Sequence, residues 1–271
     1  FTDHYIELLE EDKIYLVKSF ESGKNLSDVI PSDGMDIDTF ITYAISITEA
    51  IDYIHQNSVL HLDLNPGNII CNEVQKSIKL LDFGESISNI NINKSPQKNI
   101  QITGGAAYSA PEQTGLSNQN LDERSDLYSL GVVFYEMLSG RLPFEGENTI
   151  QMAHAHLAQI AEDLHTIKPS IPIVLSNIVK KLLAKDKHER YQHAFSLKHD
   201  LIQFSKDPST DFLIDSQDIS DKLIYPQKLY GRDQELALVS NKIMSVIGDK
   251  PKLMMISGYS GIGKSSFINE L

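Results

Sequence analysis

The sequence contains a single cysteine, Cys71, and one thiol cannot form an internal disulfide. Cys71 lies within an apolar run, which favours a buried structural thiol over a reactive one. Together these features are typical of a protein in a reducing compartment. No pattern of cysteine and histidine predicts a metal site. The helical stretches carry five histidines whose irregular spacing predicts surface or core positions: His154, His156, His188, His193 and His199.

Long apolar runs and excess positive charge are also missing. The longest apolar runs, such as residues 253–256, are far below the roughly 18 residues that a membrane span requires. No basic-then-apolar signal peptide opens the chain. The 24 Lys and Arg residues face 37 Asp and Glu residues, and the formal charge of -13 argues against a basic face for nucleic acid or anionic lipid. We expect a cytoplasmic protein with no nucleic-acid partner and no direct membrane insertion.

The 271 residues, 41% of them apolar, predict one or two globular domains with a real core. Residues 5–9 and 13–17 read as two short strands joined by an acidic turn. Residues 36–57 carry apolar side chains at helical spacing, which predicts an amphipathic core helix. Residues 69–71 and 77–81 read as a second hairpin. The N-terminal half is therefore expected to mix helix and strand.

The second half of the chain reads mainly as helix. Residues 85–104 are polar and lack a sustained period, which predicts an exposed loop. A helix is expected to open at residues 122–126 and to end at Gly140. Pro169 and Pro172 then interrupt the chain, since neither is tolerated inside a helix. Three further helical patterns cover residues 148–158, 174–183 and 193–204.

The most specific stretch runs from His61 to Asn68, with Asp82-Phe83-Gly84 shortly after it. Phosphoryl transfer needs one oxygen acceptor for a hydroxyl proton and two oxygen ligands for Mg²⁺, and Asp63, Asn68 and Asp82 supply these atoms. Each of them alone is more often a turn residue. The stretch resembles the catalytic and metal-binding loops of eukaryotic-type Ser/Thr protein kinases. Ala110-Pro111-Glu112 and residues 125–132 follow in the family's order and spacing.

The resemblance implies a role for each matching residue. Asp63 would orient the substrate hydroxyl and accept its proton, while Asn68 and Asp82 would hold the Mg²⁺ that accompanies ATP. The implied fold is α+β: residues 1–204 would form a mainly helical large lobe with the last strands of a small lobe. The glycine-rich loop and the phosphate-pairing Lys would lie upstream. Structural support is implied for four residues: His61 at the loop's first position, Asp126 behind the loop, and the buried ion pair of Glu112 with Arg190.

Three positions depart from the family pattern. Leu62 stands where an Arg usually pairs with a phosphorylated loop, so regulation by that route is not expected. Asn65 stands where a Lys usually touches the transferred phosphate, and Gly105 stands where a Thr usually contacts the catalytic base. Each change removes a charge or a hydrogen bond from the reacting centre. An Asn at this position also resembles the catalytic loop of bacterial kinases that are attached to large ATPase and sensor proteins. We assign Asn65 to the nucleotide-binding residues.

Two interpretations of this half therefore stay open. One is an active Ser/Thr kinase that transfers the γ-phosphoryl group of ATP to a protein hydroxyl. The other is a pseudokinase or scaffold lobe that regulates an attached nucleotide-binding module. Because the small lobe's phosphate-binding parts would lie upstream, we expect the 271-residue chain by itself to show little or no kinase activity.

A second motif follows the apolar strand expected at residues 252–257. In the sequence Gly258-x-x-x-x-Gly263-Lys264-Ser265, backbone N–H groups of the glycine-rich turn can cradle phosphates. Lys264 can reach the β and γ oxygens and Ser265 can ligate Mg²⁺. Gly258, Gly261 and Gly263 complete the nucleotide-binding set. With residues 229–233, the region resembles the start of an AAA-like P-loop ATPase.

The order of the parts resembles large bacterial signalling proteins that join a Ser/Thr kinase, an AAA-like ATPase, and sensor and histidine-kinase domains. Residues 205–228 are polar with nearby prolines, which predicts a linker. Residues 229–271 would then begin an α/β P-loop NTPase domain. The resemblance implies a protein substrate, ATP and Mg²⁺, with sensor or histidine-kinase domains in the same polypeptide.

Overall fold

The computed structural model describes residues 22–72, 77–84, 86, 105–117, 119–208 and 212–218, the backbone of strands at 6–10, 13–17 and 87–88, and the positions 239, 257 and 259. The chain divides into two compact units, Phe1–Ile219 and Ser220–Leu271. All helices and strands given below belong to the first unit. The predicted phosphate-loop residues lie outside the described residues: Gly258, Gly261, Gly263, Lys264 and Ser265.

Among the described residues, seven short strands form three small antiparallel sheets. Strands β1 (Ile6–Glu10) and β2 (Lys13–Val17) pair with Ile6 opposite Val17, which confirms the predicted first hairpin. Strand β5 lies between β3 and β6 in the second sheet, and β4 pairs with β7 in the third. The bounds of these five strands are β3 (Lys24–Asn25), β4 (Val59–Leu60), β5 (Ile69–Asn72), β6 (Ser77–Leu80) and β7 (Ile87–Ser88).

The helices begin and end where local chemistry predicts. The side chains of Asp36, Asp122 and Asn148 each accept a backbone N–H at a helix start. Gly140 ends α3 with a φ of 74°, a left-handed conformation that glycine adopts without a steric cost. In the described part of the chain, no helix is both long and apolar enough to cross a membrane. The helices are α1 (Leu26–Val29), α2 (Ile37–Gln56), α3 (Glu123–Ser139), α4 (Thr149–Ala158), α5 (Leu164–Ile167), α6 (Ile173–Leu182) and α7 (Ala194–Lys206).

Helix α3 is the centre of the core, and every side chain from Ser125 to Tyr135 on it is buried. Gly131 permits close approach to α6, because a Cβ atom at this position would lie only 2.6 Å from the Cβ atom of Leu182. On the side facing α2, the ring of Phe134 packs edge-on against Phe40 with their centroids 5.4 Å apart. The two contacts place α3 between α2 and α6, and the loops at its N-terminal end are built on this rigid helix.

Residues 212–218, which the sequence places in the linker, pack against the helical unit. The backbone N–H of Asp215 donates to Asp200 Oδ2 at 2.7 Å, and the Asp218 carboxylate accepts from the backbone N–H of Gln192 at 2.8 Å. The polar composition of the stretch conceals two apolar residues that are partly buried against the core, Phe212 and Ile214. The first compact unit consequently extends past residue 204.

Candidate active site

The hairpin of β5 and β6 brings the two predicted metal ligands to one end. Ile69 pairs with Leu80, so Asn68 directly precedes β5 while Asp82 follows β6 by two residues. The backbone N–H of Leu81 donates to the carbonyl of Asn68 at 2.8 Å. The second predicted hairpin is therefore confirmed, and it holds the chain segments of Asn68 and Asp82 side by side.

Two amide side chains hold the carboxylate of Asp63. Asn68 donates from Nδ2 to Asp63 Oδ2 at 2.9 Å and to the Asp63 carbonyl at 2.9 Å. Asn65 donates from Nδ2 to Asp63 Oδ1 at 3.2 Å, and its own Oδ1 accepts the backbone N–H of Gly67 at 3.0 Å. Both oxygens of Asp63 are thus oriented by the loop itself, as a group that must meet a substrate hydroxyl requires.

The residues at this end of the hairpin fit a magnesium nucleotide. Asn68 directs its nitrogen at Asp63, so its Oδ1, at the other end of the planar amide, points away from Asp63. Asp82 is exposed and uses Oδ1 to accept the backbone N–H of Gly84 at 3.2 Å. No cluster of three His, Cys, Asp or Glu side chains able to hold a metal occurs in the described ranges. The donor set suits Mg²⁺ shared with phosphates and water, the usual mode for this ion.

Asp126 holds the active-site loop through hydrogen bonds to the loop backbone. The side chain is completely buried, and its Oδ2 accepts the backbone N–H of His61 at 2.9 Å and Nε2 of His55 at 2.8 Å. Its Oδ1 accepts the backbone N–H of Leu62 at 2.8 Å. Leu62 has a φ of 64°, a left-handed conformation that is unfavourable for a residue with a branched side chain. The carboxylate therefore holds the loop in a strained conformation immediately before Asp63.

Replacing Asp126 with asparagine is expected to lower the free energy of unfolding by at least about 2 kcal/mol at neutral pH. Burial raises the pKa of Asp126, but the hydrogen bonds and charge of His55 and the two backbone N–H groups outweigh it and hold the pKa below its usual range. The asparagine would place an NH₂ group against one of these donors.

Because the pKa of Asp126 is lowered by folding, its contribution is present above the unfolded-state pKa and is lost as the pH falls through the folded-state pKa. Urea unfolding of the wild type and Asp126→Asn should therefore show a stability difference that shrinks on acidification. Asp33→Asn, at an exposed aspartate, is the matched control. A difference that grows towards low pH would contradict this role.

His61 links the loop to the strand that leads to Asp82. Its Nε2 lies 2.9 Å from the carbonyl oxygen of Leu81, and a carbonyl can only accept, so Nε2 carries the hydrogen. The imidazole also packs on the ring of Phe83, with centroids 4.7 Å apart. The side chain is wholly buried. This geometry gives His61 a structural position between the segments of Asp63 and Asp82.

The segment 105–114 is attached to the same loop by Gln113, which the sequence did not single out. The buried Gln113 side chain donates from Nε2 to the carbonyl of Leu62 at 2.7 Å and accepts the backbone N–H of Ala110 at 2.9 Å. Next to it, Glu112 forms a buried ion pair with Arg190 at 2.7 Å. The segment is therefore held on one side by the active-site loop and on the other by the helical core.

The comparisons with known proteins agree with this arrangement. A family model described as protein kinase domain matches residues 3–202. The chain is 32% identical to the probable serine/threonine-protein kinase PknB of Bifidobacterium longum, and this match covers 70% of the chain. It is 33% identical to the serine/threonine-protein kinase PrkC of Bacillus subtilis, and that match covers 72% of the chain. It covers 27% and 30% of these two proteins.

A further relative is the hybrid signal transduction histidine kinase G of Dictyostelium discoideum. The match is 29% identical and covers 87% of this chain but only 10% of the relative. The chain thus spans less than a third of the length of these relatives. The match to this relative includes more of the chain than residues 3–202.

Proposed function

The chain belongs to the protein kinase family, and on this premise we propose that it transfers the γ-phosphoryl group of ATP to a Ser or Thr hydroxyl of a protein substrate. The observation that carries the proposal is the carboxylate of Asp63, oriented by the amides of Asn65 and Asn68 at the hairpin end that also bears Asp82. Relatives named as serine/threonine kinases support the choice of acceptor.

In the proposed mechanism, Asp63 accepts the proton of the substrate hydroxyl as the hydroxyl oxygen bonds to the γ-phosphorus of ATP. The bond between this phosphorus and the β–γ bridging oxygen breaks, and ADP leaves. Asn68 would offer Oδ1, and Asp82 a carboxylate oxygen, to Mg²⁺. When bound, magnesium ATP supplies the γ-phosphoryl group and the metal neutralises charge on the phosphates. Asn68 also fixes Asp63 through Nδ2, so one amide would connect the metal side of the site with the proton acceptor.

The role of Asn65 on the nucleotide side remains a prediction. Its Nδ2 already donates to Asp63, and its Oδ1 caps the turn Pro66–Asn68. An Asn cannot supply the positive charge of a Lys at this position, so Asp63 and the metal ligands would have to provide most of the catalysis. The intact set of Asp63, Asn68 and Asp82 favours phosphoryl transfer over a purely scaffolding lobe.

We also propose that residues 229–271 begin a P-loop ATPase module within a larger cytoplasmic signalling protein. The support is the motif from Gly258 to Ser265 after an expected apolar strand. The match to a hybrid signal transduction histidine kinase covers more of the chain than the kinase model does. The net charge of -13 and the single cysteine, which is buried, are compatible with the cytoplasm.

One experiment tests both proposals in the full-length protein. The purified protein is incubated with Mg²⁺ and γ-labelled ATP, and the label is located by phosphoamino-acid analysis of the substrate or of the protein itself. We expect phosphoserine or phosphothreonine, abolished by chelation of Mg²⁺ and by Asp82→Asn, an exposed position whose change should leave the fold intact.

Lys264→Ala is the complementary variant in that experiment. It should retain Mg²⁺-dependent phosphorylation while lowering the number of ATP molecules bound per chain, because Lys264 belongs to the second nucleotide site. Nucleotide binding without any transfer by the wild type would favour the scaffold interpretation. Unchanged ATP stoichiometry in Lys264→Ala would contradict the P-loop proposal alone.

A further inference from the structure

A buried histidine of α4 contacts the segment that precedes Glu112. His156 is completely buried, and its Nε2 lies 3.0 Å from the carbonyl oxygen of Ala107. Its Nδ1 lies 3.0 Å from the hydroxyl of Tyr128 on α3. The same hydroxyl lies 3.2 Å from Nζ of Lys185, just after α6. Four side-chain and backbone groups thus form one continuous polar chain through the core.

The chemistry of the end groups fixes the direction of every hydrogen bond. The Ala107 carbonyl can only accept, so Nε2 of His156 must carry the hydrogen, and Nδ1 of the neutral ring is an acceptor. Tyr128 therefore donates its hydroxyl hydrogen to Nδ1, and its oxygen accepts from the Lys185 ammonium, which can only donate. The hydrogen bonds therefore all point in one direction, from Lys185 through Tyr128 and His156 to Ala107. We call these four residues the Lys185–Ala107 relay.

The surroundings keep the imidazole neutral and in one orientation. Burial and the nearby charge of Lys185 lower the pKa of His156 to about 4, so the ring stays uncharged near neutral pH. Its ring lies edge-on between Tyr128 and Phe144, with centroid distances of 5.6 Å and 5.2 Å. Lys185 Nζ lies 4.2 Å from the centroid of Phe144. Because the ring of His156 is enclosed in this way, its hydrogen bond fixes the position of the Ala107 carbonyl.

The relay ends on a backbone segment that α4 also contacts through apolar side chains. Ala106 and Ala107 pack on Met152 and Ala155 of α4, so this helix gives the segment both an apolar contact and the hydrogen bond from His156. A few residues later, Gln113 attaches the same segment to the carbonyl of Leu62, immediately before Asp63. Residues 106–108 are thus connected, through Gln113 and the carbonyl of Leu62, to the backbone that carries Asp63.

We propose that His156 is a positioning residue, and that the Lys185–Ala107 relay sets the position of residues 106–108 for the binding of the protein substrate. The proposal rests on the proposed kinase function and adds to it a specific determinant of substrate binding. His156 acts through Ala107 and does not touch the reacting atoms. Asp63, Asn68 and Asp82 lie outside the relay, so the handling of ATP should be independent of it.

The kinetic test uses the full-length protein with a Ser/Thr protein substrate. His156→Leu removes the hydrogen bond and should raise the KM for the protein substrate about 10-fold or more, while the KM for ATP changes less than about 2-fold. Tyr128→Phe keeps the ring but removes the hydroxyl that donates to Nδ1 of His156, and should give a smaller increase of the same kind. His156→Gln restores an N–H donor near the position of Nε2 and should recover part of the loss.

His154→Leu is the matched control, because His154 is an exposed histidine on the same helix. It should leave the KM for the protein substrate within about 2-fold of the wild type. Equal increases in the KM values for ATP and for protein substrate in His156→Leu would overturn the proposal. So would an unchanged KM for the protein substrate.

A second readout works even if the wild type transfers no phosphate, and so separates this proposal from the proposed function. Nitrogen-15 NMR should show His156 as the neutral tautomer with hydrogen on Nε2 at pH 7, and amide hydrogen exchange of residues 105–110 should accelerate in His156→Leu but not in His154→Leu. Hydrogen on Nδ1, or unchanged exchange of this segment, would rule the relay out. If the NMR and exchange results are as expected but the wild type transfers no phosphate, only the proposed kinase function is rejected.

Discussion

Replacing Arg190 with methionine is expected to destabilise the helical unit by about 3–5 kcal/mol, the usual cost of leaving one partner of a buried ion pair uncompensated. Arg190 is completely buried, and its guanidinium makes two hydrogen bonds to Glu112, at 2.7 Å and 3.0 Å. Methionine has a similar length but no charge. It would leave the Glu112 carboxylate buried, with the hydroxyl of Ser125 at 2.8 Å as a remaining donor.

The remaining N–H groups of Arg190 increase the expected loss. Its Nε donates to the carbonyl of Ala184 at 2.8 Å, and its two terminal nitrogens also donate to the carbonyls of Arg124 at 3.0 Å and Lys185 at 3.2 Å. All five guanidinium hydrogens are thus used, and three carbonyl oxygens would lose a donor. A loss of this size is a large fraction of the 5–15 kcal/mol that stabilises a typical domain.

Arg141→Met provides the matched control for Arg190→Met. Arg141 pairs with Glu162 at 2.8 Å, but both side chains are more than half exposed, at 52% and 60%. An exposed pair contributes at most about 1 kcal/mol. Thermal unfolding of the helical unit should show a large decrease in midpoint for Arg190→Met and almost none for Arg141→Met. Similar midpoints for the two variants would show that the buried pair has no special role.

A double variant refines this prediction. Removing Glu112 together with Arg190, as Glu112→Leu with Arg190→Met, eliminates the stranded charge. The double variant should therefore be more stable than Arg190→Met alone, as a thermodynamic cycle would measure. A double variant less stable than both single variants would show that the three carbonyl contacts outweigh the ion pair.

The regular elements of the fold could be predicted because their signals are local. The cap residues Asp36 and Asp122 and the left-handed Gly140 mark helix ends in the sequence, and the structure has α2 and α3 within one or two residues of the predicted bounds. Helix α5 was missed because four residues are too few to show a period. The packing of residues 212–218 was missed because its polar composition hides Phe212 and Ile214.

The active-site loop was accessible to sequence reasoning because Asp63, Asn65 and Asn68 lie within one short stretch and interact with each other. Gln113 and His156 were not, because their partners in the site are the backbone carbonyls of Leu62 and Ala107. A carbonyl is present at every residue, so no side-chain pattern indicates which one will be used. Only the packing of α3 and α4 brings these groups together.

Asp63→Asn is the substitution with the largest expected effect on activity. An asparagine keeps the size of the side chain but cannot accept the proton of a substrate hydroxyl, and a positioned general base contributes about 10²–10⁴-fold to a rate. The new NH₂ group would also meet the donating Nδ2 atom of Asn65 or Asn68, which both now point at carboxylate oxygens. We therefore expect the phosphotransfer rate to fall at least about 100-fold.

Binding of magnesium ATP should survive this change, because Asp82 and the Oδ1 atom of Asn68 are the proposed metal ligands and neither is altered. The Asp63→Asn variant should consequently combine a normal affinity for the nucleotide with a lost transfer step. Asp33→Asn, at an exposed aspartate far along the chain from the loop, should transfer phosphate at the wild-type rate. The contrast between these two variants separates a catalytic effect from a general effect of removing one negative charge.

The decisive measurement for the role of Asp63 is the single-turnover rate of phosphate transfer from γ-labelled ATP to a Ser/Thr substrate by the full-length protein. This rate is compared between the wild type and Asp63→Asn. We expect measurable transfer by the wild type, a decrease of at least about 100-fold in the variant, and equal binding of magnesium ATP by both. Equal transfer rates for the two proteins would contradict the assignment of Asp63 as the proton acceptor.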